Sequence, residues 1–182
     1  MAQTMVRLAA LLGSINVGGN RLKMADLRAA LEAAGFANVA TVTASGNVLF
    51  DGDPALRSEY PARIAEVIAD TFDIATFAIV TTREGLLGAV AENPFADDGA
   101  DNLVHVHFLE SQPGPDAFDQ LASDHEGRGS ERLAPGTAAL HIDFVDSAAN
   151  SKLTGPFLLR RLGCRGTARN IRSIRRIAEA MA

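Results

Sequence analysis

The segment Gly13-Ser14-Ile15-Asn16-Val17-Gly18-Gly19-Asn20 stands just before a helical pattern. Its backbone amides can therefore cradle an anion at the positive end of that helix. It is not a P-loop, which needs Lys and then Ser or Thr after its second glycine, because Gly19 and Asn20 follow Gly18. It also lacks the G-x-G-x-x-G spacing of a dinucleotide site. Lys23 lies at the start of the next helix, where the dipole disfavours a cation unless an anion compensates. The arrangement recurs. Ser151-Lys152-Leu153-Thr154 opens a helix with Ser151 as cap and Lys152 in the first turn, and Arg169 and Arg172 bracket Asn170, the cap of the last helix. With the turn at Ser45-Gly46-Asn47, these starts give a candidate set for a phosphate-bearing ligand: Asn16, Gly18, Gly19, Lys23, Asn47, Lys152, Arg169 and Asn170. The competing reading is that the glycines only permit a tight loop and that each cation is solvated.

Other chemistries have weaker support. His105 and His107 alternate with apolar residues and so face one side of a strand, and His141 on a neighbouring strand would complete a three-histidine zinc site if it joined them. The alternative is a polar sheet face. Cys164 has Arg161 and Arg165 beside it and no histidine near it in sequence, which suits a structural thiol. There is no G-x-S-x-G elbow, no H-E-x-x-H and no compact carboxylate motif, and no cofactor is expected. One tyrosine and no tryptophan argue against a base-stacking RNA surface.

The elements that must position these residues follow from periodicity. Met5–Leu12 is an apolar run suited to a central strand, and Met24, Leu27, Leu31 and Ala34 recur at helical spacing before Gly35. Strands at Val39–Thr43 and Val48–Asp51 form a hairpin, Asp53-Pro54 starts a helix that Pro61 either kinks or delays to about Glu59, and Ile74–Thr81 is a strand. After a helix at Thr82–Asn93 the order repeats. Leu103–Leu109 is a strand, Pro115–Ser123 a helix and His125–Ser130 a flexible tip; a hairpin then spans Glu131–Ala134 and Ala138–Val145 around Pro135-Gly136. Ser151–Gly163 is a helix, Cys164–Thr167 an extended piece and Asn170–Met181 a final helix. The expectation is an α+β fold of two tandem ferredoxin-like β-α-β-β-α-β units with an extra C-terminal helix. The first unit covers 1–81, a connecting helix and loop 82–102, and the second unit 103–182. A single mixed sheet is the alternative.

Length and composition bound the class. At 182 residues, 47% hydrophobic and 21% charged, the chain can bury a core without disulfides or metal. One cysteine, no run of about 20 apolar residues and no convincing cleavage site predict a cytoplasmic protein with no membrane partner. The net charge of −5 is unevenly placed: residues 1–150 carry 9 basic and 21 acidic side chains, whereas 151–182 carry 8 basic and 1 acidic. A basic end points to phosphate or an acidic partner, or it covers the chain's own acidic surface.

Several of these motifs occur together in one family. Leu11–Asn20, Lys23-Met24-Ala25-Asp26-Leu27-Arg28, Ser45-Gly46-Asn47-Val48, Asn93-Pro94-Phe95, His105-Val106, Phe108-Leu109, Ser151-Lys152-Leu153-Thr154 and Ala168-Arg169-Asn170 resemble, in order, the bacterial domain-of-unknown-function 1697 family. The resemblance implies a tandem α+β arrangement and brings no activity, substrate or cofactor. Where that family commonly has Arg-Gly before Ile-Asn-Val-Gly-Gly, this chain has Gly13-Ser14, and where it commonly has Trp after Arg-Asn, this chain has Ile171. Three functions remain open. The first is binding of a nucleotide or nucleic-acid phosphate at the candidate set. The second is an enzyme using the same loops with Lys152 or His105 as acid–base group, and the third is an interaction module whose basic last helix meets an acidic partner or a second copy in a homodimer.

Overall fold

The apolar run that begins the chain becomes β1 (Val6–Leu12), and five of its seven residues are buried. In the computed structural model, which describes residues 4–16, 19 and 21–182, β1 is a central strand of a four-stranded antiparallel sheet. Its partners are β2 (Ala37–Val42), β3 (Asn47–Gly52) and β4 (Ala78–Thr82), in the order β2-β3-β1-β4. Between β1 and β2 lies α1 (Met24–Ala33), which buries Leu27 and Leu31. Gly35, at φ +90°, lets the amide of Phe36 return to the Leu31 carbonyl and that of Gly35 to Glu32, which closes the helix. Asp53 caps only a short 3-10 turn, Pro54–Leu56, and α2 (Tyr60–Phe72) starts at the later of the two expected positions, with Pro61 in its first turn. Leu8, Ala10, Leu12, Val48 and Phe50 from the sheet pack with Leu27, Leu31, Ile64 and Ile68 from the helices. Phe36, Phe50 and Tyr60 form an aromatic cluster within it, with the Phe50 and Tyr60 rings 5.0 Å apart.

After α3 (Arg83–Glu92) the order repeats. β5 (Val104–Leu109), α4 (Pro115–His125), β6 (Arg132–Gly136), β7 (Ala139–Asp143), α5 (Gly155–Leu162) and β8 (Gly166–Asn170) build a second antiparallel sheet, β6-β7-β5-β8. α6 (Ile171–Ala180) is the last element, its Ile171, Ile174 and Ile177 buried as the periodicity requires and Met181 buried just beyond it. The fold is thus the expected pair of β-α-β-β-α-β units with an added last helix. The chain forms two compact units, 1–85 with 176–182, and 86–175.

Several local readings differ from the sequence expectation; β4 begins at Ala78 and not at Ile74, and the extended piece expected at Cys164–Thr167 is the strand Gly166–Asn170. α4 runs on to His125, which is buried with Phe118 and Leu121 on one stripe, so the flexible tip loses its first residue to the helix. Pro135 lies within β6 and not in the turn, which the ladder tolerates because β6 is an edge strand. α5 begins at Gly155 with Thr154 as its cap, the hydroxyl accepting from Phe157 N. Ser151 is therefore not the cap, and Lys152 precedes the helix and does not occupy its first turn.

The two units share their framing bonds. Leu12 N donates to Gly46 O and Leu109 N to Ala138 O, both at 2.9 Å. Gly13 N donates to Phe77 O at 2.9 Å and Glu110 N to Arg165 O at 3.0 Å. The amide of Asn16 reaches Ala44 O at 2.7 Å, and that of Gln112 reaches Gly136 O at 3.3 Å. One device thus ties the loop after the central strand to the hairpin turn in each half.

Candidate functional site

In the first unit the loop and the hairpin turn do come together. Asn16, at φ +57°, is exposed, yet its amide donates to Ala44 O and its Oδ1 accepts from Leu22 N at 2.8 Å. Asn47 is fully buried and donates to Val42 O, Thr43 Oγ1 and Ser45 Oγ, each at 3.1 Å. Both asparagines hold backbone. Asn47→Ala should lower the unfolding free energy by about 2 kcal/mol, because the turn loses its internal donor. A urea titration measures it. Gly19 and Lys23 are exposed, Lys23 in extended conformation just before α1, and Gly18 lies outside the described residues. Ser14 takes φ +56°, a region that suits the glycine of the family pattern. A side chain on Gly13 would meet the Phe77 ring at 2.1 Å, so Phe77 fills the space an arginine there would enter.

In the second unit the members of the set separate by environment. Arg169 is buried in β8, donating to Thr167 Oγ1 and Ala168 O at 2.8 Å, and burial pulls its guanidinium down to about 10. Asn170 caps α6 as expected, its Oδ1 accepting from Ser173 N at 2.8 Å. Ile171 is fully buried, a packing position in this chain. Lys152 is exposed and lines an open cleft of about 230 Å³ formed by the α4–β6 connection and the loop from β7 to α5. Arg128, Ser130, Glu131, Ser147, Asn150 and Ser151 line it too. Arg128 stacks over Phe157 at 4.6 Å. Among the described residues neither Arg128 nor Lys152 is in an ion pair. The acids beside them are engaged: Asp146 accepts from the Ser130 hydroxyl at 2.8 Å, and Glu131 is bonded to Ser151 and His125.

The three histidines do not converge. Val106 pairs with His141 across β5 and β7, and His107 pairs with Leu140, so His141 faces the opposite side of the sheet from His105 and His107. Among the described residues no group of His, Cys, Asp and Glu could hold a metal ion. His107 is pushed down to about 4, by burial first and then by the charge of His105. His141 is fully buried against Glu92, whose carboxylate also accepts from Thr137 N and its hydroxyl. The basic end is partly neutralised within the second unit, through Arg161–Asp124, Arg165–Glu110 and Arg175–Asp101.

Sequence reasoning found Lys152 but not its neighbours. Arg128–Ser130 sits in a polar, glycine-containing stretch that reads as a flexible tip, Glu131 reads as the start of a hairpin strand, and Ser151 reads as a helix cap. Polar loop composition was the signal, and it does not distinguish a cleft from a tip. Asn93-Pro94-Phe95 also gains a role: Asn93 Oδ1 accepts from Phe95 N at 2.9 Å, and the Phe95 ring lies under the Arg132 guanidinium at 4.7 Å. Arg132 in turn binds Asp98 and the buried Asp143.

Comparisons with known proteins bear on fold and family. A family model described as Protein of unknown function (DUF1697) matches residues 5–141. No curated protein matches the sequence. The solved structure of a conserved bacterial protein from Streptococcus pneumoniae is similar, with a TM-score of 0.71 and 23% identity, covering 98% of this chain and 100% of that one. At that identity the likeness concerns the fold. No helix among the described residues is long and apolar enough to cross a membrane.

Proposed function

Because the chain belongs to the DUF1697 family of proteins of unknown function, its role rests on its own residues, and we propose that its second unit binds the phosphate group of a nucleotide or of a nucleic-acid backbone. The supporting observation is the cleft at Lys152. Two cations outside any ion pair among the described residues line it with hydroxyl and amide groups, while Glu131 is bonded to Ser151 and His125 and Asp146 accepts from the Ser130 hydroxyl. Its volume of about 230 Å³ is below the roughly 300 Å³ at which sites for whole drug-sized ligands begin, so it suits a phosphate group with the rest of the ligand outside. In the first unit Gly19 and Lys23, both exposed before α1, form a second candidate contact.

Titration with inorganic phosphate, a mononucleotide and a short DNA, followed by NMR, tests the reading. Lys152→Ala and Arg128→Ala should each weaken phosphate about tenfold, the worth of one charge-assisted contact, and Lys23→Ala reads the second contact. Binding should fall as salt rises. Absence of shifts at Ser147–Lys152 with every anion would overturn the proposal.

A further inference from the structure

One carboxylate holds the loop that presents Lys152. Glu131 lies between exposed Ser130 and Arg132, yet its own side chain is only 6% exposed. Its Oε1 accepts the Ser151 hydroxyl, and its Oε2 is 3.0 Å from His125 Nε2. His125 is fixed by the buried stripe of α4, and its Nδ1 has no partner among the described residues, so Glu131 is the ring's polar engagement. The Ser151 oxygen also accepts from Leu153 N at 3.1 Å, and Leu153 belongs to the apolar core of the second unit. Lys152 is therefore bracketed by two anchored residues while its side chain stays in solvent. Gly129 is a further part of the arrangement. A Cβ there would lie 2.0 Å from Glu131 Oε2, so the carboxylate folds inward only because position 129 has no side chain.

We infer that Glu131 is the positioning residue of this cleft: the chain His125–Glu131–Ser151 fixes Lys152 where one phosphate can meet it together with Arg128. The inference rests on the phosphate reading above. It also gives the acid beside the anion site a role, since both oxygens of Glu131 hold neighbouring side chains.

The test uses the full chain with two kinds of variant. Glu131→Gln removes the charge at constant shape, and Gly129→Ala displaces the carboxylate without altering any member of the chain of bonds. Amide hydrogen exchange over residues 144–154 reads the clamp, and inorganic phosphate affinity reads its consequence. Both variants should speed exchange at Ser151–Leu153 about tenfold, with the first unit unchanged, and weaken phosphate about fivefold. In a Lys152→Ala background Glu131→Gln should no longer change phosphate affinity, which a merely structural role would not produce. Unchanged exchange in both variants overturns the clamp whether or not phosphate binds. Faster exchange with unaltered affinity, or an undiminished effect without Lys152, overturns the positioning role. A wild-type chain that binds no phosphate overturns the reading of the cleft and the positioning role with it, while the exchange result still decides whether the clamp exists.

Discussion

Phe50→Ala should lower the unfolding free energy by about 4 kcal/mol, the usual cost of emptying an aromatic core position. Phe50 is 1% exposed at the middle of β3 and meets the Phe36 and Tyr60 rings edge-on, at 5.2 and 5.0 Å. Its removal deletes the transfer energy of a whole ring and two aromatic contacts, and the surrounding Leu8, Ile64 and Ile68 can close the space only in part. The molecule supplies the reporter. Tyr60 is its one tyrosine and there is no tryptophan, so intrinsic fluorescence comes from this cluster alone. A urea titration should show the Tyr60 transition moving to lower denaturant with its slope unchanged. An unshifted midpoint would mean that the cluster contributes little to stability.

The second large effect is a loss of stability between pH 6.5 and 5. His107 has its folded value near 4 against an ordinary 6.5, because burial disfavours the imidazolium and His105 adds repulsion. The unfolded chain then binds the proton first, so stability is intact above pH 6.5 and falls as the pH drops towards 4. At about 1.4 kcal/mol per pH unit, His107 alone costs about 2 kcal/mol by pH 5. Burial lowers His105 and His141 as well, which adds to the slope. Glu92, Glu131 and Asp51 are shifted downward from 4.5, 4.5 and 3.8, so they begin to contribute only below this window. Urea midpoints from pH 7.5 to 5 should fall, and fall less steeply in His107→Leu. A flat profile in the native chain would show that these imidazoles protonate freely when folded.

The elements were largely legible because each half states its pattern plainly. The β1 run, the Leu27–Leu31 stripe and the isoleucine stripe of α6 need no tertiary information. Other features depend on partners distant in sequence. Whether His141 joins His105 and His107 is decided by cross-strand register, and a one-residue change of parity sends it to the opposite face. Lys152 could be found by its type but not its setting, since the helix start moved from Ser151 to Gly155 once Thr154 took the cap. The inward turn of Glu131 depends on Gly129 and on α4 extending to His125, neither of which composition reveals.

The framing bonds repeated between the halves give the molecule an internal control. Leu12 with Gly46 and Leu109 with Ala138 anchor equivalent loops, as do Asn16 and Gln112, so what these bonds share belongs to the scaffold. Where the halves diverge, that common requirement no longer dictates the residue. One half carries a glycine- and asparagine-rich loop at this end, and the other closes the same position with the Glu110–Arg165 pair. Subtracting one half from the other therefore separates what the shared scaffold requires from what it leaves free within a single sequence. The mutagenesis that matters most belongs to the remainder.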